Sequence, residues 1–107
     1  MSDTLRRIAD LVQGGEVQIS AHGYDEMVED GILAGEVIDS VPAAVVVEDY
    51  PEYLKGRCIL VLQRDRSGGP IHVVWGIPRG QTSPAVLVTA YRPDLARWTD
   101  DFLRRRQ

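Results

Sequence analysis

From Ala43 to Arg92 the chain offers four β-forming runs, with no gap long enough for a crossover helix. The runs are AAVVVEDY (43–50), RCILVLQR (57–64), PIHVVWGI (70–77) and AVLVTAYR (85–92). Between them lie PEYLKG, DRSGG and PRGQTSP, each punctuated by glycine or proline. Parallel neighbours need a connection of about a dozen residues or more, so runs this close must pair antiparallel. This spacing predicts a four-stranded antiparallel meander. Pro93 ends it, because proline brings no amide hydrogen to a ladder. RCILVLQR and PIHVVWGI are apolar on both alternating sets, which suits central strands with helices on one face and partial cover on the other. The less covered face is where a ligand or partner would sit.

Helices flank this meander. TLRRIADLV sets Leu5, Ile8 and Val12 on one helical face, with Ser2 or Asp3 as cap and Gly14-Gly15 as stop, giving a helix over 3–13. EVQIS (16–20) is a short extended piece. Ser20 caps a helix over about 21–30, with Met27 and Val28 inward and Tyr24 near them. A weaker helix covers about 33–40, with Leu33 and Val37 inward and Gly35 lowering its propensity. At the end, DLARWTDDFLRRR predicts a helix capped by Asp94. Leu95, Trp98 and Phe102 form its stripe, and Arg104 to Arg106 suit the negative end of its dipole. The predicted fold is α+β, in one domain over 1–107: N-terminal helices and a C-terminal helix packed on the four-stranded sheet.

Charge is unevenly spread. Residues 1–53 carry twelve acidic and two basic side chains, and residues 54–107 carry four acidic and ten basic. Folding can mix the halves, leave a bipolar surface, or pair helices with sheet; the sequence leaves all three open. A net charge of −4 speaks against a general nucleic-acid binder. Cys58 is the only cysteine, which excludes an internal disulfide. Its strand setting predicts a buried thiol, and a cytoplasmic location is expected. MSDTLRRIADL has none of the apolar core of a secretory leader, and no run approaches membrane-spanning length.

Neither HxxxH, HExxH, a cysteine pair nor a Walker-type loop occurs, so no metal site and no cofactor are expected. The chemistry rests on two histidines and their surroundings. In PIHVVWGI, Ile71, Val73, Trp75 and Ile77 alternate with His72, Val74 and Gly76, which puts His72 opposite the bulky core face. Thr89 and Tyr91 share one face of the last strand. If that is the His72 face, an imidazole and a phenol meet. His72 and Tyr91 would then be candidate catalytic groups, and Arg79, Arg92 and Arg64 candidate phosphate holders. The plainer reading keeps His72 as a covered histidine bonded to a neighbouring strand, and Tyr91 as an edge-of-core aromatic. His22, in a helical first turn, is either structural or a third site residue. Glu48 and Asp49 point to opposite strand faces and form no carboxylate pair.

SAHGYDEMVEDGI (20–32), AGEVIDSV, EDYPEY, GRCILVL, GGPIHVVWG and VLVTAYRPD together resemble the bacterial family of unknown function numbered 4258. That family is similar to the BrnT and RelE/ParE-like toxins. The resemblance covers 16–97 and leaves the helix over 3–13 outside. It implies helices on an antiparallel sheet, and relatives that cleave RNA without metal and often pair with a small antitoxin. Where the family carries arginines, four and eight residues after its histidine, this chain has Glu26 and Asp30. Carboxylates repel a phosphate backbone, which disfavours RNA. The expected function is therefore a non-catalytic protein-interaction module on a toxin-like scaffold, binding a protein partner or a second copy. The alternative is a metal-independent ribonuclease using His72, Tyr91 and His22.

Overall fold

The structure, a computed structural model, describes residues 2–107. It runs α1 (Asp3–Gln13), β1 (Val17–Ile19), α2 (Ala21–Glu29), α3 (Ala34–Asp39) and a 3-10 turn (Val41–Ala43). β2 (Val45–Tyr50), β3 (Cys58–Arg64), β4 (Pro70–Gly76) and β5 (Ala85–Tyr91) follow. The first two helices begin where their caps predict. Ser2 Oγ accepts from the Leu5 amide and Ser20 Oγ from the Gly23 amide. Each bond satisfies a donor that a helix start leaves free.

β2 to β5 form the antiparallel meander, but the sheet is not four-stranded. Its order is β1-β5-β4-β3-β2, and β1 lies parallel to β5, with Val17 opposite Ala85 and Ile19 opposite Leu87. The sheet is therefore five-stranded and mixed. A parallel pair is possible here because most of the chain separates the two strands. Three residues are too few to show a strand's period of two, so EVQIS reads only as extended.

α2 prolongs the line of β1 along β5. Its cap sits on an irregularity of that strand: Val74 faces Thr89 while Trp75 faces Leu87, which leaves Val88 as an extra residue. The Ser20 amide donates to the Leu87 carbonyl and Ser20 Oγ to the Val88 carbonyl. A Cβ on Gly23 would stand 2.9 Å from the Leu87 oxygen, so glycine lets the helix approach this closely. At the other end of the helix, the Asp30 carboxylate accepts from the Arg92 amide at 2.8 Å.

The sheet's inner face holds the core. Ile59, Val61, Ile71, Val73, Trp75, Ala85, Leu87 and Ala90 pack against Leu5 and Ile8 of α1, Met27 of α2 and Val37 of α3. Tyr24 and Val28, predicted to lie inward or near the core, face outward. One polar side chain is embedded in this layer. Gln63 donates to the Val37 carbonyl and to Ser40 Oγ, and accepts from Trp75 Nε1 at 2.8 Å. Its amide and the indole are thereby both satisfied away from water.

The C-terminal helix does not form. The Asp94 carbonyl accepts from the amides of Arg97 and Trp98, closing a single turn. The chain then reverses: Asp101 accepts from the Leu103 amide, Thr99 Oγ1 from the Arg104 amide, and Trp98 pairs antiparallel with Arg105. Thr and Asp side chains that bond nearby backbone compete with helix formation. Phe102 adopts a φ of 62°, which a helix cannot use. Of the predicted stripe only Trp98 is buried, and Leu95 remains exposed. Residues 94–107 are thus a strap across the sheet's outer face. No helix among the described residues is long and apolar enough to cross a membrane.

Candidate functional site

The outer face carries Glu48 and Tyr50 from β2, Cys58, Leu60 and Leu62 from β3, His72, Val74 and Gly76 from β4, and Val86, Thr89 and Tyr91 from β5. The strap divides it. Under the strap lie His72 and Tyr91, directly opposite each other in register. His72 Nδ1 is 3.1 Å from Tyr91 Oη, and Nε2 is 2.8 Å from the Phe102 carbonyl oxygen. A carbonyl only accepts, so Nε2 carries the hydrogen and Nδ1 accepts from the Tyr91 hydroxyl. Trp98 meets the imidazole edge to face, at 4.4 Å between ring centres.

This imidazole is 0% exposed. Burial pushes its pKa down, against the upward pull of the Phe102 carbonyl and the Glu48 carboxylate. Burial likewise raises the Tyr91 phenol. Glu48 accepts from Arg105 Nε at 2.8 Å and Nη2 at 2.9 Å, and from the Tyr50 hydroxyl at 2.6 Å. The Arg105 bonds chiefly hold its carboxyl below the ordinary range. The same guanidinium lies 4.7 Å over the Trp98 ring, so one side chain ties the strap to β2 and caps the indole. Everything around His72 is paired within the chain. Both nitrogens of this neutral imidazole are thus bonded within the chain, one of them to the strap.

The predicted site is only partly assembled. His72 and Tyr91 meet, as their shared face implies. Arg92 is at the same end of the sheet, but Asp65 takes its guanidinium at 2.9 Å and the Pro70 carbonyl accepts a second bond. Arg64 is exposed and donates to the Gly68 carbonyl of its own hairpin. Arg79 lies beyond the opposite end of β4, where it donates to the Leu54 carbonyl. His22 is exposed on α2, 3.9 Å from Glu26. Asp30, which the resemblance marks as a lost phosphate contact, instead fixes the backbone after β5. The sequence reading missed Glu48, Trp98, Phe102 and Arg105 as neighbours of His72. All but Glu48 sit on the strap, and a helical reading of that segment conceals their meeting.

The bare half of the outer face is an apolar groove of about 550 Å³. Its floor is Cys58, Leu60, Val74, Gly76 and Val86, and Tyr50, Tyr53 and Lys55 stand at its side. Cys58, expected to be buried, is only half-buried, and desolvation followed by the nearby Asp49 charge raises its thiol pKa. Two backbone segments pass closely at its rim. Gly56 has a φ of 123°, and a Cβ there would lie 2.1 Å from the Ile77 oxygen, so no other residue fits without displacement. Among the described residues no group of three or more His, Cys, Asp or Glu side chains is placed to hold a metal ion.

Three helices and a five-stranded mixed sheet, with an outer face half strapped and half open, define a small α+β domain. The chain belongs to the domain of unknown function DUF4258, whose family model matches residues 19–92. That span includes His72, Tyr91 and every residue lining the groove, and excludes α1 and the strap. No curated protein and no solved structure matches the chain.

Proposed function

We propose that this chain is a non-catalytic protein-interaction module, acting in the cytoplasm, whose contact surface is the groove beside the strap. The observation that carries the reading is the contrast on one face. The candidate catalytic imidazole is sealed with both nitrogens bonded, while the adjoining half is open and apolar. A volume of about 550 Å³ is suited to one or two apolar side chains. The resemblance to BrnT and RelE/ParE-like toxins lends the scaffold to this reading by analogy only.

Selection from displayed short random peptides tests the proposal. Retained peptides should bind the wild-type chain and lose binding to Val86→Glu, whose fold is checked by thermal unfolding. Val88→Glu, at a more exposed position, serves if the first variant unfolds. Retention of no peptide, or of peptides indifferent to both variants, would overturn the reading.

The ribonuclease alternative has one observation in its favour, the 3.1 Å approach of His72 to Tyr91. Under the interaction reading, RNA stays intact with the folded protein in EDTA, ribosomes included. Metal-free cleavage that disappears in His72→Ala would restore the alternative.

A further inference from the structure

We infer that the groove takes an extended peptide segment of a partner protein in which a large apolar side chain is followed closely by a carboxylate, bound by Lys55 and Arg79. This rests on the interaction reading above and adds the chemistry of the occupant.

The groove crosses four strands, from Val86 and Val88 on β5 to Tyr50 on β2. Three interstrand spacings make about 14 Å, the length of about four extended residues. The floor is apolar throughout, so the central side chain of such a segment must be apolar.

The charges sit at one end. No carboxylate lines the groove; its charged lining residues are Lys55 and Arg57. Arg57 is already committed, donating from Nε to Thr4 and from Nη2 to Asp3. Lys55 and Arg79 are carried on paired backbone, the Arg79 amide donating to the Lys55 carbonyl at 3.1 Å. Neither forms an ion pair among the described residues.

Arg79 belongs to a second recess of about 450 Å³ that shares Tyr53, Gly56, Arg57, Ile77 and Pro78 with the groove. Glu52 lines that recess but is not bonded to Arg79. Nearby acids are occupied elsewhere: Glu48 by Arg105, and Asp49 by the Ser2 hydroxyl at 2.5 Å. The lip therefore holds two cations that form no ion pair among the described residues, next to an apolar floor. A carboxylate just past the apolar anchor completes it, and an arginine or lysine there is repelled.

The peptide selection above, repeated on a Lys55→Glu/Arg79→Glu variant, tests this. Peptides retained by the wild-type chain should carry Asp or Glu within two residues of a large apolar side chain, and the variant's should carry Lys or Arg there. In one selected peptide, Asp→Asn should weaken binding about fivefold at low salt, and Lys55→Gln/Arg79→Gln should abolish that difference. Groove-dependent peptides without charge bias, or with the same bias on both proteins, would overturn the carboxylate while leaving the interaction reading intact. Peptides indifferent to Val86→Glu and Val88→Glu would overturn both.

Discussion

The two halves of the outer face are built from the same strands and end differently. Around His72 the strap covers the sheet, an indole stands on the imidazole, and Glu48 with Arg105 closes the seam. Around Val74 and Val86 no strap residue lines the groove, and its apolar floor opens to solvent between Tyr50, Tyr53 and Lys55. The strapped half presents Leu62, His72 and Tyr91 beside Glu48, and the open half presents Cys58, Leu60, Val74 and Val86. What differs is a side chain able to engage distant backbone: His72 bonds Phe102, thirty residues on. The groove floor offers no such donor or acceptor. A polar residue within an apolar face thus recruits cover, and its purely apolar neighbours are left for another molecule.

Truncations rank the two halves. Trp98→Ala removes the strap's own buried indole and should cost about 3–5 kcal/mol in denaturant unfolding. A loss below about 1 kcal/mol would mean that the strap is not packed, and the contrast between the halves would fall. The same half should respond to acid. His72 is held neutral in the fold, while the unfolded chain protonates near pH 6.5. Its contribution to stability is therefore complete above about 6.5 and is lost as pH falls toward the lowered folded value. Glu48, Arg105 and Tyr91 face this imidazole, and Glu48, with its own lowered pKa, adds a loss only at more acidic pH. His72→Gln should flatten the upper part of that pH profile; an unchanged profile would show that the imidazole is reached by water.

Smaller effects come from the open half and the rim. Gly56→Ala forces a β-carbon against the Ile77 carbonyl and should cost about 1–3 kcal/mol, read by thermal unfolding. A neutral result would show that the rim is loose. Arg105→Ala removes a bidentate pair whose arginine side chain is 64% exposed, so solvent screening limits the loss to about 1 kcal/mol, smaller still in high salt. Val88→Glu, already 38% exposed, should change stability by less than about 0.5 kcal/mol. A larger penalty there would mean that the groove is core, and not a contact surface.

How far the chain could be read without coordinates follows from interaction range. α1 and α2 were legible because Ser2 and Ser20 cap them locally. β2 to β5 were legible because short loops leave no other pairing. β1 was not, since its place beside β5 depends on chain some seventy residues away. The strap was misread because Leu95, Trp98 and Phe102 keep helical spacing while Thr99 and Asp101 redirect the backbone. Strand alternation put Thr89 and Tyr91 on one face of β5 and left open whether His72 shares it; the pairing of His72 with Tyr91 decides that. The closure over His72 was not legible, because the Phe102 carbonyl enters no pattern of side chains.

Gln63 has an effect beyond its own bonds. It sits opposite Ile71 on the β3–β4 hairpin and holds Trp75, Val37 and Ser40 at once. Sliding β3 past β4 by one residue would point its amide outward and strand an indole hydrogen in the dry interior. The hairpin is thereby keyed to a single alignment. Through that key, a carboxamide on the helix-packed side dictates which aliphatics surface on the reverse, and so the pitch at which any visiting chain must present its own.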